Sequence, residues 1–365
     1  MQMDNEIHFN KWLRPLSFLY GAVIKWRNRL FDRGFLPSEK YPIPVICVGN
    51  LAVGGTGKTP HTEYIIRLLK NRYRVAVLSR GYKRKTSGFI LATAQSTSRE
   101  IGDEPCQMKT KFPDILVAVD ADRRRGIRNL LALPAADRPQ VIILDDAFQY
   151  RYVNPLQSIV LTDCHRLAYE DRLLPEGRLR EPFNTIERAD VIIVTKCSKH
   201  MTEAEYGAIE ERLHARSHQS VFFSHIVYGG IEPVCPEAAR PLSREMIGRD
   251  EDILLISGIA SPKLFIEEAK KYSKNIHAVV FPDHHAFDKS DLRKLDAIYT
   301  GMSSPGKFIL ATEKDAVRLK GNPLVPESWK SVLYYLPITI DINDRDGSGK
   351  ERFDAIVERA VENRK

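Results

Sequence analysis

Short, nearly continuous apolar runs recur along the first two thirds of the chain. They begin at Val45 and continue at residues 74–79 (RVAVLS), 115–119 (ILVAV), 141–144 (VIIL), 158–161 (SIVL) and 191–194 (VIIV). Runs this short, without polar alternation, are the pattern of strands buried on both faces of a parallel sheet. Helical spacing over residues 58–69, 123–133 and 202–215 falls between or after them. The alternation predicts a doubly wound, mostly parallel α/β sheet, with its ligand beyond the carboxyl ends of the strands.

A second α/β series starts at residues 252–256 (DILLI). It continues through a helix at 262–272, a strand at 278–281, a helix at 289–299 and a strand at 307–311. β-rich stretches at 221–228 and 332–340 bracket it and are expected to pair as the link between two domains. The expected division is an N-terminal helical segment over 1–35, a main domain over 36–220, linker strands with a smaller α/β domain over 221–340, and a C-terminal helix over 341–365 that returns to the main domain. In the first segment Phe18, Leu19, Ala22, Val23, Trp26 and Leu30 fall near helical spacing, flanked by Lys25, Arg27, Arg29 and Arg33. That pattern suits either an interfacial helix on anionic lipid or a helix packed on its own protein. No apolar stretch approaches the ~20 residues that span a bilayer.

The run from Val45 leads into Gly49-Asn-Leu-Ala-Val-Gly54-Gly55-Thr56-Gly57-Lys58-Thr59. A strand, a glycine-rich turn and Lys-Thr opening a helix form a phosphate-binding loop. Glycines let backbone N–H groups curl around a polyphosphate, lysine reaches the outer phosphates and the hydroxyl holds Mg²⁺. The general pattern wants glycine where Ala52 stands, with Gly54 and Gly55 displaced inward, so the loop is a variant. Gly347-Ser348-Gly349-Lys350 follows a polar string and lacks a hydroxyl after its lysine, and is read as a turn before the last helix.

The run VIIL delivers Asp145 and Asp146 to a strand end, where a phosphate-loop enzyme needs a carboxylate for Mg²⁺. Adjacent strand residues face opposite ways, so the two carboxylates are expected to differ in role. Gly102-Asp103-Glu104-Pro105 reads by spacing as a surface turn. Asp283-His284-His285, after a strand, can bring an imidazole to a cleft as a base for a sugar hydroxyl. Arg178 and Arg180, within LLPEGRLREP, are candidate phosphate binders. The formal charge of +8 and pI near 9.1 call for an acidic partner without choosing among nucleotide, nucleic acid, phosphorylated substrate and membrane. Five cysteines without CxxC pairing indicate neither a zinc site nor a disulfide framework.

These segments, in this order, resemble the tetraacyldisaccharide 4′-kinase family, which phosphorylates the glucosamine disaccharide precursor of lipid A. The resemblance runs through RLFDRG, VGNLAVGGTGKTP, LSRGYKRK, GDEP, DDAFQY, LLPEGRLREP, ISGIASP, FPDHHAF and TEKDAVRL, nearly the whole chain. It implies a peripheral enzyme of two α/β domains on the cytoplasmic face of the bacterial inner membrane. With ATP and Mg²⁺ it would phosphorylate the 4′-hydroxyl of a lipid A disaccharide 1-phosphate. By motif, Gly54, Gly55, Thr56, Gly57, Lys58 and Thr59 would bind nucleotide, and Thr59, Asp145 and Asp146 the metal. Asp103 and His284 would be the catalytic pair together with Lys58, His285 being the alternative histidine. Arg80, Glu104, Gln149, Arg180 and Glu181 would support the site. Where the family usually reads DDGFQH, this chain has Ala147 and Tyr150. The resemblance favours the membrane reading of the N-terminal helix, whose surroundings would be an anionic membrane, and implies no obligate protein partner. A switch-type NTPase acting on a protein is the rival reading. A nucleic-acid binder lacks any recognisable binding motif.

Overall fold

The computed structural model describes residues 9–248 and 250–362. Its strands are β1 (Val45–Asn50), β2 (Val75–Ser79), β3 (Ile90–Leu91), β4 (Leu116–Val119), β5 (Val141–Asp145), β6 (Gln157–Asp163), β7 (Val191–Thr195), β8 (Ser220–Tyr228), β9 (Glu232–Pro233), β10 (Asp252–Ser257), β11 (Asn275–Val280), β12 (Phe308–Thr312), β13 (Leu333–Leu336) and β14 (Ile338–Asn343). The larger sheet has the order β14-β8-β7-β6-β1-β5-β2-β4-β3, and the smaller β11-β10-β12-β13-β9. Within the larger sheet β4-β2-β5-β1-β6-β7-β8 pair in parallel, and only its two edge strands run antiparallel. This is the doubly wound architecture that the apolar runs predict.

Alternate residues of the central strands feed two cores. Ile46, Val48, Val75, Val77 and Ile143 pack with Ile65, Ile66, Phe353 and Val357 on one face. Val45, Cys47, Ala76, Leu78 and Ile142 pack with Ile127, Leu130 and Leu213 on the other. Because both faces are dry, β1 and β5 lack polar alternation until their carboxyl ends. Their register, Val45 beside Ile142 and Val48 beside Asp145, puts the glycine loop next to the aspartate pair.

The chain leaves the larger sheet by β8 and returns by β14, which pair antiparallel from Tyr228–Ile338 to Phe223–Asn343. The smaller sheet has its own apolar cores around Leu254, Ile256, Leu295 and Trp329, and around Ile253, Leu255 and Leu310. The helix Gly349–Glu362 returns Phe353, Val357 and Val361 to the first core. Residues 1–8 of the expected N-terminal segment and 363–365 of the expected last helix lie outside the described residues.

The helix Arg14–Asp32 buries Ser17, Gly21, Asn28 and Phe31. Apart from Phe31, its large apolar side chains are mostly turned outward: Phe18 is 82% exposed, Trp26 65% and Leu19 63%. No helix among the described residues is long and apolar enough to cross a membrane.

Candidate active site

The loop after β1 turns at Gly54 and Gly57, with φ of +108° and +86°, values that only glycine adopts freely. Asn50 donates to the Thr56 hydroxyl at 2.6 Å, and the Thr195 hydroxyl donates to the Thr56 carbonyl at 2.9 Å. Gly57 precedes the helix Lys58–Leu69. Buried His61, one turn into that helix, lies 2.7 Å from the Gly57 carbonyl through Nδ1 and 2.9 Å from the Ser224 hydroxyl through Nε2. A carbonyl only accepts, so Nδ1 carries the hydrogen and Nε2 accepts from Ser224. Burial pushes the His61 pKa down to about 4, which keeps the ring neutral.

The LLPEGRLREP loop braces the phosphate loop from outside. The Val53 N–H donates to the Arg178 carbonyl at 2.8 Å, and the Arg180 N–H to the Leu51 carbonyl at 2.7 Å. From the smaller sheet, Ala260 stands so near Gly55 that a β-carbon there would meet its own at 3.3 Å. Both units therefore border the loop.

Asp145, at the end of β5, is buried and accepts from Ser79 at 3.1 Å. Burial, followed by the charges of Asp146 and Glu104, raises its pKa to about 6. Asp146 takes a left-handed φ of +50° and turns away from its neighbour. Burial acts to raise its pKa as well, but Lys58 and Arg180 hold it at about 2. Lys58 Nζ is 3.7 Å from Asp146 and Arg180 2.8 Å, and Arg180 also contacts the Asn50 side-chain oxygen. Asp145, Asp146 and Thr59, the residues expected to hold Mg²⁺, offer only oxygen donors. Among the described residues no three His, Cys, Asp or Glu side chains form a closed metal cage. Mg²⁺ keeps waters and phosphate oxygens as ligands and takes only one or two protein carboxylates, so it does not require such a cage.

The GDEP segment is not the surface turn that spacing suggests. It opens the helix Asp103–Lys111, entered through Gly102 at φ +93°. A β-carbon at Gly102 would meet Gly81 backbone atoms at 3.2 Å, so glycine lets the two loops touch. Asp103 Oδ2 lies 3.2 Å from His284 Nδ1 and 2.8 Å from Arg318 Nε. Burial acts to raise the Asp103 pKa, and His284, Arg318 and Lys314 overcome it, leaving the pKa at about 2. Lys314 pairs with Glu104 at 2.8 Å and touches His284 Nε2 at 3.0 Å. His285 is elsewhere, 2.7 Å from Asp291 and stacked on Phe281.

Of the expected supporting residues, Gln149 donates to the Asn50 carbonyl at 2.7 Å, and Arg80 is exposed, its charge felt by Arg123. Glu181 is fully buried between Arg27, at 2.8 Å, and Arg188. It fastens the N-terminal helix to the brace loop. Tyr20 of that helix donates to the Arg180 carbonyl at 2.8 Å. Lys314 and Arg318 were not singled out by spacing; the i, i+4 placement of cations after a buried run was the available signal. Buried Arg123, which reaches the Asp146 carbonyl at 3.4 Å beneath the Tyr150 ring, was also missed. Tyr150 donates to Asp122 at 2.6 Å, the residue capping the helix Arg123–Leu131. Ala147 is not among the positive-φ residues, so the change from glycine brings no backbone strain there.

A family model described as LpxK: Tetraacyldisaccharide-1-P 4′-kinase matches residues 9–358. A tetraacyldisaccharide 4′-kinase of Parabacteroides distasonis is 58% identical over 340 residues, covering 93% of this chain and 92% of that protein. One of Bacteroides thetaiotaomicron is 48% identical over 345 residues, covering 93% and 90%. A crystal structure of LpxK from Aquifex aeolicus in complex with ATP is similar with a TM-score of 0.70 and 28% identity, covering 96% of this chain and 98% of that one.

Proposed function

The chain belongs to the tetraacyldisaccharide-1-P 4′-kinase family, and from that premise we propose that its phosphate loop and its Asp103 cluster are the two halves of one phosphotransfer site. The reaction is transfer of the γ-phosphate of ATP, with Mg²⁺, to the 4′-hydroxyl of a tetraacylated glucosamine disaccharide 1-phosphate in lipid A biosynthesis. In the proposed assignment the backbone of Gly54 to Gly57 and the Lys58 ammonium receive the phosphates. Thr59, Asp145 and Asp146 hold the metal, which when bound neutralises charge on the phosphate oxygens. Arg180, which also contacts Asn50, keeps the Asp146 carboxylate oriented.

The observation that carries the proposal is the asymmetry of Asp103. Arg318 and His284 both use Oδ2, so Oδ1 is left to accept the 4′-hydroxyl. With its pKa near 2, Asp103 stays ionised and orients the hydroxyl through a charge-assisted hydrogen bond. In a loose transition state the proton moves late, so a strong base is not required. His284 holds the carboxylate from its inner side, and Lys314 holds His284. Closure of the smaller unit over Gly55 would exclude water and suppress hydrolysis.

The exposed apolar face of Arg14–Asp32, flanked by Lys25, Arg29 and Arg33, supports peripheral attachment to an anionic membrane surface. In a bacterium that surface is the cytoplasmic face of the inner membrane, where the acyl chains of the substrate would remain. The division at residues 35, 220 and 340 belongs to the same proposal and is supported by the separate cores of the two sheets.

The test is transfer of labelled γ-phosphate to the disaccharide 1-phosphate in mixed micelles by wild type, Lys58→Ala and Asp103→Ala. Labelled lipid from wild type alone, with all three proteins folded, is the expected outcome. An Asp103→Ala variant of undiminished rate would remove Asp103 from the site, and phosphate released to water without labelled lipid would favour the switch-type NTPase.

A further inference from the structure

The helix Asp103–Lys111 and the helix Glu313–Lys320, which follows β12 in the smaller sheet, pack against each other. Three ion pairs join them. Asp103 meets Arg318 at 2.8 Å, Glu104 meets Lys314 at 2.8 Å, and Lys111 meets Glu313 at 2.5 Å. The first two pairs lie where the acceptor hydroxyl would arrive. The third is remote, because eight residues of helix at ~1.5 Å each place Lys111 about 12 Å from Asp103 along the axis.

Lys111 has a second partner. Its ammonium lies 2.7 Å from Glu63, a fully buried residue of the helix that begins at Lys58. Glu63 also accepts from Gln107 at 2.9 Å and pairs with Arg67 at 3.1 Å. Glu313 uses its other oxygen to accept the Ile338 N–H at 3.1 Å, at the first residue of β14. One ammonium thus ties together the phosphate-loop helix, the Asp103 helix and the helix carrying Lys314 and Arg318. Through Glu313 it also reaches the strand by which the chain re-enters the larger sheet.

We propose that Lys111 is a positioning residue for phosphoryl transfer: by drawing Glu63 and Glu313 onto one charge, it sets Arg318 and His284 against Asp103 without touching nucleotide or acceptor. The proposal rests on the role of Asp103 given above. Its physical basis is the sign of the force at the junction. With the ammonium present, two buried carboxylates are held on a common counter-ion. Without it they repel one another, since Arg67, which shares Glu63 Oε2 with Lys111, offsets the charge of that carboxylate only, and the helices separate at that end. Burial, then the Glu313 charge, raise the Glu63 pKa, and Lys111 and Arg67 act against them, so removing the ammonium removes the largest opposing charge. Lys314 follows Glu313 directly and touches His284, so a displaced Glu313 moves His284 as well as Arg318. A displacement near 1 Å at reacting groups costs about 100-fold in rate.

The experiment compares wild type, Lys111→Met, Lys111→Arg and Lys111→Met with Glu313→Gln in the labelled lipid transfer assay, with ATP affinity and melting temperature measured on each full chain. The expected result for Lys111→Met is a kcat lower by roughly 10- to 100-fold with KM for ATP within about twofold of wild type. Lys111→Arg, which keeps the charge, should recover most of the rate. The double variant should recover part of it, because removing one carboxylate removes the repulsion. An unchanged kcat in Lys111→Met would overturn the proposal. So would loss of ATP affinity, kcat and melting temperature together with no recovery in the other two variants, which marks a general weakening of the fold. A wild-type protein that labels no lipid would instead remove the kinase site on which the proposal stands.

Discussion

Exchanging His61 for asparagine tests whether a buried neutral imidazole holds the phosphate loop. Asparagine can still donate to the Gly57 carbonyl from nearly the position of Nδ1, but it gives up the Ser224 contact and some volume. Near pH 7.5 the variant should therefore be less stable by about 1–2 kcal/mol. Acid changes the comparison. Burial depresses the folded pKa to about 4 from an ordinary value of 6.5, so between these values the unfolded chain binds more protons than the folded one. The neutral ring's contribution is complete above about pH 6.5 and is lost as pH falls toward 4. At pH 5 the wild type has lost roughly 2 kcal/mol from this group alone, by the linkage relation applied to those two pKa values, and asparagine loses nothing. Other groups titrate alike in both proteins and cancel. Thermal melting of the nucleotide-free chain with chelator at pH 5 and 7.5 gives the readout. At about 2 °C per kcal/mol, the wild type should melt 2–4 °C above the variant at pH 7.5 and lose that lead at pH 5. A gap that is constant or wider at pH 5 would show that His61 is charged or solvated in the folded state.

Three further outcomes are expected. Phe18 and Trp26, as bilayer contacts, contribute about 1.5–3 kcal/mol each, so exchanging both for serine should weaken binding to anionic vesicles by about 100-fold or more and leave melting unchanged; equal vesicle binding would remove this helix from the membrane contact. Glu181→Gln leaves the Arg27 and Arg188 guanidiniums facing a neutral amide, and since Arg27 is 35% exposed the cost should fall near the lower end of the ~3–5 kcal/mol for breaking a buried pair. Melting and transfer rate should fall together, and a fully active, equally stable variant would contradict the fastening role. Gly102→Ala adds a side chain at φ +93° against Gly81, costing about 1–3 kcal/mol of backbone strain, and transfer should drop more than ATP binding because Asp103 is the next residue.

The nucleotide half of the proposed site was legible in the chain because its parts are contiguous. Val45 to Thr59 carries a strand, its turn and a helix start within fifteen residues, and the dry run before Asp145 marks a strand that must end where the loop ends. The acceptor half was not. Asp103 lies 181 residues from His284 and 215 from Arg318, and no local spacing relates them. Spacing read GDEP as a turn, since Gly102 and Pro105 are turn residues, yet Pro105 sits in the first helical turn, where its missing N–H costs nothing. Resemblance supplied Asp103 and His284 without the geometry, and left open which of two adjacent histidines faces the carboxylate. The left-handed φ of +59° at His284 sends that ring toward Asp103 while His285 stacks on Phe281.

Glu181 shows the same division. Sequence placed it beside Arg180 as a supporting residue, and nothing local distinguishes a carboxylate facing a substrate from one buried beneath the loop. Helical spacing in Arg14–Asp32 likewise described an apolar stripe without saying whether protein or solvent covers it; packing answered by burying Ser17, Gly21, Asn28 and Phe31 and leaving Phe18, Leu19 and Trp26 exposed. Period, apolar run length and glycine placement are properties of neighbouring residues, and they were enough for the α/β class, the phosphate loop and the carboxylates at the end of β5. Which charges meet across the two units depends on how two separately cored sheets pack together. That choice is made by shape and burial over the whole contact, and it alone brings Arg318, Lys314 and His284 to Asp103 and Glu104, and Glu313 to Lys111.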